Sequence, residues 1–141
     1  GVGEIGDEEQ RLIQVTRESL YKGIEEMRPG KHIGDVGAAI QQHVEDAGYH
    51  VPKQYTGHGV GREMHEPPQV PNYGVPGQGM LLREGMTIAI EPMVLVGTPN
   101  TKVLADQWTV ISADHSLTAH YEHTVAVTSN GPLILTLPEE R

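Results

Sequence analysis

Glu91, Glu122 and His58 have the side-chain types and the sequence surroundings from which a metal site can be built. Each glutamate interrupts a strand-like pattern, Glu91 in MTIAIEPMVLV and Glu122 in AHYEHTVAVT. An unpaired carboxylate inside an apolar strand costs several kcal/mol, so each needs a partner, and two such cases in one predicted sheet suggest a shared one. A divalent cation would serve, with His58 of the glycine-rich GHGVG adding a nitrogen ligand. Carboxylate-rich ligation can hold two ions bridged by a water whose lowered pKa makes it a nucleophile.

These residues also have ordinary structural explanations, which the residues alone leave open. A glutamate within a strand is more often paired or at a sheet edge than bound to a metal. A histidine in a glycine-rich loop more often faces solvent or bonds to the backbone. Trp108 is expected in the core rather than in a pocket. Surface positions are expected for five further histidines: His32, His43, His50, His115 and His120.

Two more histidines have neighbours that give them a predicted place. His65 lies in the same loop as His58 and could reach the same cavity. His123 directly follows Glu122, and strand alternation places these two side chains on opposite faces of a sheet. We therefore expect His123 to pack or bond away from the candidate site.

The elements that must position these side chains begin with two amphipathic helices. Apolar residues recur with a helical period after Asp7, which forms a predicted capping box with Gln10, and Pro29–Gly30 ends the helix. A second helix begins near Gly34 and ends before Gly48, which has the place of a C′ residue. Both helices are apolar on one side, so both are expected to lie on a sheet.

Antiparallel strands are predicted for most of the remaining chain. YHVP is a candidate short strand, MTIAIEPMVLV and WTVI read as strands, and AHYEHTVAVT-SNG-PLILT reads as a hairpin turning at Asn-Gly. The stretch YTGHGVGREMHEPPQVPNYG, residues 55–74, is expected to be irregular because glycines and prolines interrupt it. The sequence thus predicts one α+β domain over residues 1–141, an antiparallel sheet covered by two helices.

Composition excludes several classes of function. The net charge is −9 and lysines and arginines form no cluster, so a nucleic-acid-binding face is not expected. There is no cysteine, so a metal would be held by His, Asp and Glu, and the chain fits a reducing cytoplasm. No run of about 18 apolar residues and no basic-then-apolar start occurs, so neither a membrane span nor a signal peptide is predicted.

Four segments resemble, in order and spacing, the signature stretches of type I methionine aminopeptidases: GHGVGREMHEPPQVPNYG, MTIAIEPMV, DQWTV and AHYEHTVAVTSNGPLILT. The resemblance runs from near residue 10 to residue 137 and covers only the C-terminal lobe of that family. It implies half of a pita-bread fold. It also implies a dinuclear metallohydrolase, using Co, Mn, Fe or Zn, that removes the initiator methionine from new polypeptides in the cytoplasm.

The resemblance assigns metal ligands to particular residues. His58, Glu91 and Glu122 match ligands of the family, and Glu122 matches the one that bridges both ions. Glu91 also matches the residue proposed as the general base for the attacking water. His65 matches a catalytic residue that contacts the substrate and stabilises the charge growing on the scissile carbonyl oxygen.

The resemblance also assigns a substrate pocket. Met64 and Trp108 match positions that line the pocket for the methionine side chain, together with the substrate-contacting His65. A thioether packs well against polarizable, apolar walls of this kind.

The first lobe of the family, with two aspartate ligands and a histidine for the substrate amine, has no counterpart in the sequence. Asp35 and Asp46 have the family's spacing of ten intervening residues but fall on the predicted second helix, so we treat the spacing as coincidence. With three of five ligands, one ion or none is expected in fixed geometry. A homodimer or the missing N-terminal lobe would complete the site.

Three functions therefore remain open from the sequence. The first is a metal-dependent aminopeptidase acting on N-terminal methionine, whose activity as an isolated half is in doubt. The second is a non-catalytic isolated half-fold, an engineered or ancestral module for folding or assembly. The third is a related pita-bread peptidase acting at X-Pro bonds.

Overall fold

Two helices and antiparallel strands make up the computed structural model, which describes residues 1–138. Five strands form one sheet in the order β2-β1-β3-β8-β9, and two smaller sheets pair β4 with β7 and β5 with β6. This is the predicted α+β architecture with an antiparallel sheet. The elements are α1 (Asp7–Glu25), α2 (Ile33–Asp46), β1 (Thr56–Gly59), β2 (Glu66–Pro71), β3 (Thr87–Ile90), β4 (Met93–Leu95), β5 (Thr101–Val103), β6 (Val110–Ser112), β7 (Thr118–His120), β8 (His123–Thr128) and β9 (Gly131–Ile134).

The core lies between the apolar faces of the helices and the large sheet. Leu20 of α1, Ile40 of α2, Ile88 of β3 and Val125 of β8 are completely buried and belong to one cluster. The one-sided apolar pattern of both helices is explained by this packing. Neither helix of the described residues combines the length and apolar character needed to cross a membrane.

The ends of the helices agree only partly with the sequence prediction. The capping box at Asp7 is wrong, because Gly6 is the N-cap of α1 and no side chain caps it. The Gln10 side chain instead donates to the carbonyl of Ile5 at 3.2 Å. At the end of α2, Gly48 has a φ of +83°, a left-handed conformation that confirms its role as the C′ residue.

Asp35 fixes the start of α2 to the loop that follows β2. Its carboxylate accepts hydrogen bonds from the backbone N–H of His32 at 2.7 Å and of Gly77 at 2.9 Å. The bond from His32 is the largest cause of a lowered pKa for Asp35, with Gly77 contributing in the same direction. The carboxylate therefore serves the fold, and Asp46 at the other end of α2 accepts from Gln42 at 2.7 Å.

We expect Asp35→Asn to reduce the free energy of unfolding at pH 7 by about 1 kcal/mol, because one of two acceptor oxygens is lost. The pKa of Asp35 is lower in the folded chain than its ordinary 3.8, so this stabilisation is present above that value and is lost as pH falls below it. Urea unfolding at pH 7 and pH 3 measures the difference. Asp46→Asn is the control on the same helix, and an Asp35→Asn effect equal at both pH values would contradict the prediction.

Residues 55–74 are more regular than predicted. β1 and β2 within this stretch form an antiparallel pair, with Gly57 opposite Val70 and a register shift after His58. β2 carries three prolines, at positions 67, 68 and 71. These prolines are tolerated because β2 is the edge strand of the sheet, where the missing N–H donors leave no partner unpaired. The expectation of irregular backbone was wrong because proline was taken as a breaker wherever it occurs.

Three further strand predictions have different outcomes. The predicted hairpin is confirmed by the pairing of β8 with β9, but its turn consists of Ser129–Asn130 and not of Asn130–Gly131, because Gly131 pairs with Thr128 and begins β9. YHVP does not form a strand and contributes one isolated bridge between His50 and Leu95. The strand predicted at WTVI begins only at Val110, since Trp108 belongs to the turn before β6.

Candidate metal centre

The two candidate glutamates lie at strand breaks and not within strands, which corrects the sequence prediction. Glu91 follows β3 and precedes β4, and Glu122 follows β7 and precedes β8. On either side of the breaks, Ile90 pairs with His123 and Met93 pairs with His120. The breaks therefore face each other where the chain passes from the five-stranded sheet to the β4–β7 sheet.

This arrangement brings both carboxylates to one place. Glu91, His120 and Glu122 each offer a ligand atom, and these three atoms lie within 4.8 Å of one another. The Glu91 side chain is 17% exposed, whereas Glu122 is exposed. Burial is thus less complete than the sequence suggested, but the two acidic groups point to the same site.

The Glu91 carboxylate lies between two imidazoles. Its Oε1 is 3.5 Å from Nε2 of His58, and its Oε2 is 3.4 Å from Nε2 of His120. The Nδ1–H of His58 donates to the carbonyl of Gly59 at 2.9 Å, which leaves a lone pair on Nε2 of the neutral ring. That lone pair and the carboxylate face each other, so a cation or a proton is needed between them.

Each carboxylate–imidazole pair has a spacing that fits a divalent ion, but the two imidazoles face different oxygens of Glu91, and His58 is not in the group of ligand atoms that lie within 4.8 Å of one another. Distances of 3.4 and 3.5 Å are longer than an ordinary hydrogen bond between nitrogen and oxygen. Ligand atoms held about 2.1 Å from a tetrahedral ion would be roughly 3.4 Å apart. Imidazole and carboxylate donors suit Mn, Fe, Co or Zn.

His120 responds to the two carboxylates in its pKa. A long hydrogen bond to Glu91 is the largest cause that raises the pKa of His120, and the charges of Glu91 and Glu122 act in the same direction against partial burial. His120 is exposed, as expected, yet it belongs to the site, which the sequence analysis did not foresee. The sequence does contain one indication: His120 is two residues before Glu122, and side chains two residues apart lie on the same side of an extended chain.

His65 reaches the cavity that contains His58 and Glu91. The rings of His58 and His65 are 4.2 Å apart between centroids and inclined by 49°. These three residues line a cavity of about 400 Å³. The arrangement places the exposed imidazole of His65 beside the half-buried side chains of His58 and Glu91, where it can contact a bound molecule.

The other candidate residues lie outside this cavity. Met64 is 75% exposed and Trp108 is 87% exposed, so the expectation of a core position for Trp108 is wrong. Trp108 lies in the β5–β6 turn, where its backbone N–H donates to the carboxylate of Asp106 at 3.1 Å. His123 contacts Thr136 at 2.9 Å and the ring of Tyr21, which confirms its predicted place away from the site.

The fold and the donor set define a class: an α+β protein with a carboxylate and imidazole centre at the junction of its sheets. The sequence pattern of metallopeptidase family M24 matches residues 1–129. The chain belongs to metallopeptidase family M24.

Curated methionine aminopeptidases are similar to the chain over nearly its whole length. The chain is 54% identical to methionine aminopeptidase of Clostridium acetobutylicum, covering 98% of this chain and 55% of the relative. It is 49% identical to methionine aminopeptidase 1 of Bacillus subtilis, covering 96% and 54%. The chain thus spans about half the length of the curated relatives it matches.

The solved structures agree. The crystal structure of methionine aminopeptidase from Thermotoga maritima matches with a TM-score of 0.94 and 51% identity, covering 97% of this chain and 55% of that one. Prolidase from Pyrococcus furiosus matches with a TM-score of 0.72 and 25% identity, covering 99% and 35%. The fold is half of the pita-bread fold, and the resemblance to part of a type I methionine aminopeptidase is confirmed.

Proposed function

We propose that this chain is the metal-binding half of an aminopeptidase that removes methionine from peptide N termini, with His58, Glu91 and Glu122 as metal ligands. The observation that carries the proposal is the Glu91 carboxylate, which lies 3.5 Å from His58 and 3.4 Å from His120 with Glu122 beside it. Family membership and the curated relatives support the reaction class. A divalent cation bound there would supply Lewis-acid polarisation and a water of lowered pKa.

Individual residues of the chain have separate roles in proton transfer and metal binding. Glu91, partly buried, accepts the proton of the attacking water as general base. His58 is held in one tautomer by the Gly59 carbonyl, so its Nε2 stays available as a donor. Glu122 is exposed beside Glu91 and would hold the second ion that the family resemblance implies.

His65 is placed to act on the substrate. Its ring lies against that of His58 in the same cavity, so it can donate to a substrate carbonyl oxygen that develops charge. Removal of a donor in this role lowers kcat on the order of 10²–10³-fold. Met64 and Trp108 are apolar side chains that remain exposed and would close on the methionine side chain when a facing half is present.

A facing half is part of the proposal. Val103, Trp108 and Val110 are exposed apolar side chains on or next to the β5–β6 pair, an arrangement typical of a covered surface. The second half is either an N-terminal lobe or a second copy of this chain related by a twofold axis. We place the protein in the cytoplasm, because the N termini of new polypeptides are produced there.

The assay that tests the proposal is hydrolysis of a Met-Ala peptide by the purified chain with added Mn, Fe, Co or Zn. We expect methionine release that a chelator abolishes and the metal restores. If a second copy completes the site, the rate per chain increases with protein concentration, and sedimentation shows a dimer over the same range. Metal binding without hydrolysis at any concentration would show that a second copy of the chain does not complete the site, and would favour the non-catalytic half-fold for the chain by itself.

The two alternatives have specific observations of their own. The non-catalytic half-fold is favoured by the coverage of only 55% of the relative from Clostridium acetobutylicum. The X-Pro peptidase is favoured by the prolidase match, but at 25% identity against 51% for the methionine aminopeptidase structure. A comparison of Met-Ala with Ala-Pro peptides in the same assay separates the two peptidases.

A further inference from the structure

We propose that Asn72 is a positioning residue for Glu91, because its side-chain amide holds the main-chain carbonyl of Glu91 at the break between β3 and β4. The Nδ2 of Asn72 donates to that carbonyl at 3.0 Å. The inference rests on the proposed function, in which Glu91 is a metal ligand, and it concerns what orients that ligand. Its consequence is that the metal affinity of the chain depends on a residue outside the proposed set of ligands.

The strand pairings of the large sheet end before they reach Glu91. The pairing of β3 with β1 ends at Ala89, and its pairing with β8 ends at Ile90. In the described part of the chain, the carbonyl of Glu91 is therefore bound by the side chain of Asn72 and not by a neighbouring strand. A residue outside a ladder keeps two soft backbone dihedrals, which a hydrogen bond of this kind restrains.

The Asn72 side chain is completely buried, and its amide group is only half paired. Because a carbonyl oxygen accepts and does not donate, the nitrogen of the amide must face Glu91. The oxygen Oδ1 is then buried, and none of the described residues donates to it. An unpaired buried acceptor costs free energy, so an apolar side chain would serve the core better. A polar residue that costs stability at a buried position is typical of a functional site.

The backbone on both sides of Asn72 is held by α2. A Cβ added at Gly37 of α2 would collide with the carbonyl oxygens of Pro71 and Tyr73, at 2.6 Å in the case of Pro71. The bare glycine therefore lets the helix contact the chain directly before and directly after Asn72. A supporting side chain that is fixed in this way can hold its partner within the narrow limits that a metal ligand needs.

The variants Asn72→Leu and Asn72→Ala test the inference, because both remove the donor and alanine is too small to overpack the core. We expect isothermal titration to show an affinity for cobalt lower by about 10-fold in each. Urea unfolding of the metal-free variants checks that the fold is kept.

Hydrogen exchange of the metal-free chain gives a second measurement. The N–H of Tyr121 donates to the carbonyl of Pro92 at 3.3 Å, directly after Glu91. If Asn72 holds the break, this amide exchanges faster in Asn72→Leu, whereas the amide of the buried Val125 in β8 exchanges at its original rate. A general loss of stability would speed up both amides.

A rescue variant and a matched control separate positioning from stability. Asn72→His has a ring N–H at the same number of bonds from the backbone as Nδ2, so it is expected to recover part of the cobalt affinity. Thr16→Val is the control, because Thr16 is also completely buried and donates to the main-chain carbonyl of Leu12 at 2.7 Å, but within α1. We expect Thr16→Val to lower the urea midpoint without changing the cobalt affinity.

Unchanged cobalt affinity in both Asn72→Leu and Asn72→Ala would overturn the inference and leave the proposed function standing. An equal loss of affinity in Thr16→Val would also overturn it, since Asn72 would then serve only the stability of the fold. If the unmodified chain bound no cobalt, the proposed function would fail for the chain by itself. The exchange rate of Tyr121 would then decide whether Asn72 holds the break.

Discussion

Replacing Glu91 by glutamine is expected to lower the affinity of the chain for cobalt on the order of 10²–10³-fold and to remove any methionine release. The reason is that the Glu91 carboxylate contacts both His58 and His120, so its loss removes the anionic donor that joins the two imidazoles. In Glu91→Gln, an amide nitrogen would replace one carboxylate oxygen and would face the lone pair of an imidazole nitrogen. Outer partners of metal ligands already cost 10–100-fold when changed, so a ligand should cost more.

Isothermal titration with cobalt and hydrolysis of a Met-Ala peptide measure these two effects. Glu18→Gln is the control, since Glu18 also contacts a histidine, His43, at 3.1 Å but lies on α1. The control is expected to change neither quantity. Cobalt binding by Glu91→Gln at the affinity of the unmodified chain would remove Glu91 from the site.

The second large effect is expected from Gly57→Ala, which should destabilise the chain by roughly 3 kcal/mol and weaken cobalt binding at the same time. A Cβ at Gly57 would lie 2.2 Å from the carbonyl oxygen of Ala89, a backbone atom of the neighbouring strand. Backbone atoms cannot rotate away as a side chain does, so β1 would have to separate from β3. His58 follows Gly57 directly and pairs with Ala89, so its imidazole would move relative to Glu91.

Urea unfolding and cobalt titration of the same samples test both parts of this prediction. Gly61→Ala is the matched control just after the end of β1, because the atoms nearest to its added Cβ belong to the carboxylate end of Glu66, the first of them at 2.4 Å. That flexible side chain can move, so a much smaller change is expected. Unfolding of Gly57→Ala at the urea concentration of the unmodified chain would show that the close approach of β1 and β3 is not required.

Together these two variants separate the site from the fold. Glu91→Gln is expected to remove metal binding from a chain that remains folded, because Glu91 lies at a strand break and supports no ladder hydrogen bond through its side chain. Gly57→Ala is expected to affect both. If the two variants lost the same free energy of unfolding, Glu91 would be needed mainly for folding.

The sequence by itself determined the helices, the fold class and the family resemblance. The apolar period of α1 and α2 and the left-handed glycine at Gly48 are local features, since they depend on residues within one or two turns. The motifs around His58, Glu91 and Glu122 likewise lie in short continuous segments. Local information of this kind can be read without knowing which strands meet.

Only the tertiary structure decided how those segments meet. The β1–β2 pair was missed because tolerance of its prolines depends on β2 being an edge strand, which is a property of the whole sheet. The breaks at Glu91 and Glu122 were read as strand interiors because an apolar run does not show where a strand leaves one sheet for another. His120 could not be placed for the same reason: its contact with Glu91 depends on the register of β7 against β4, and register is set by pairing between distant residues.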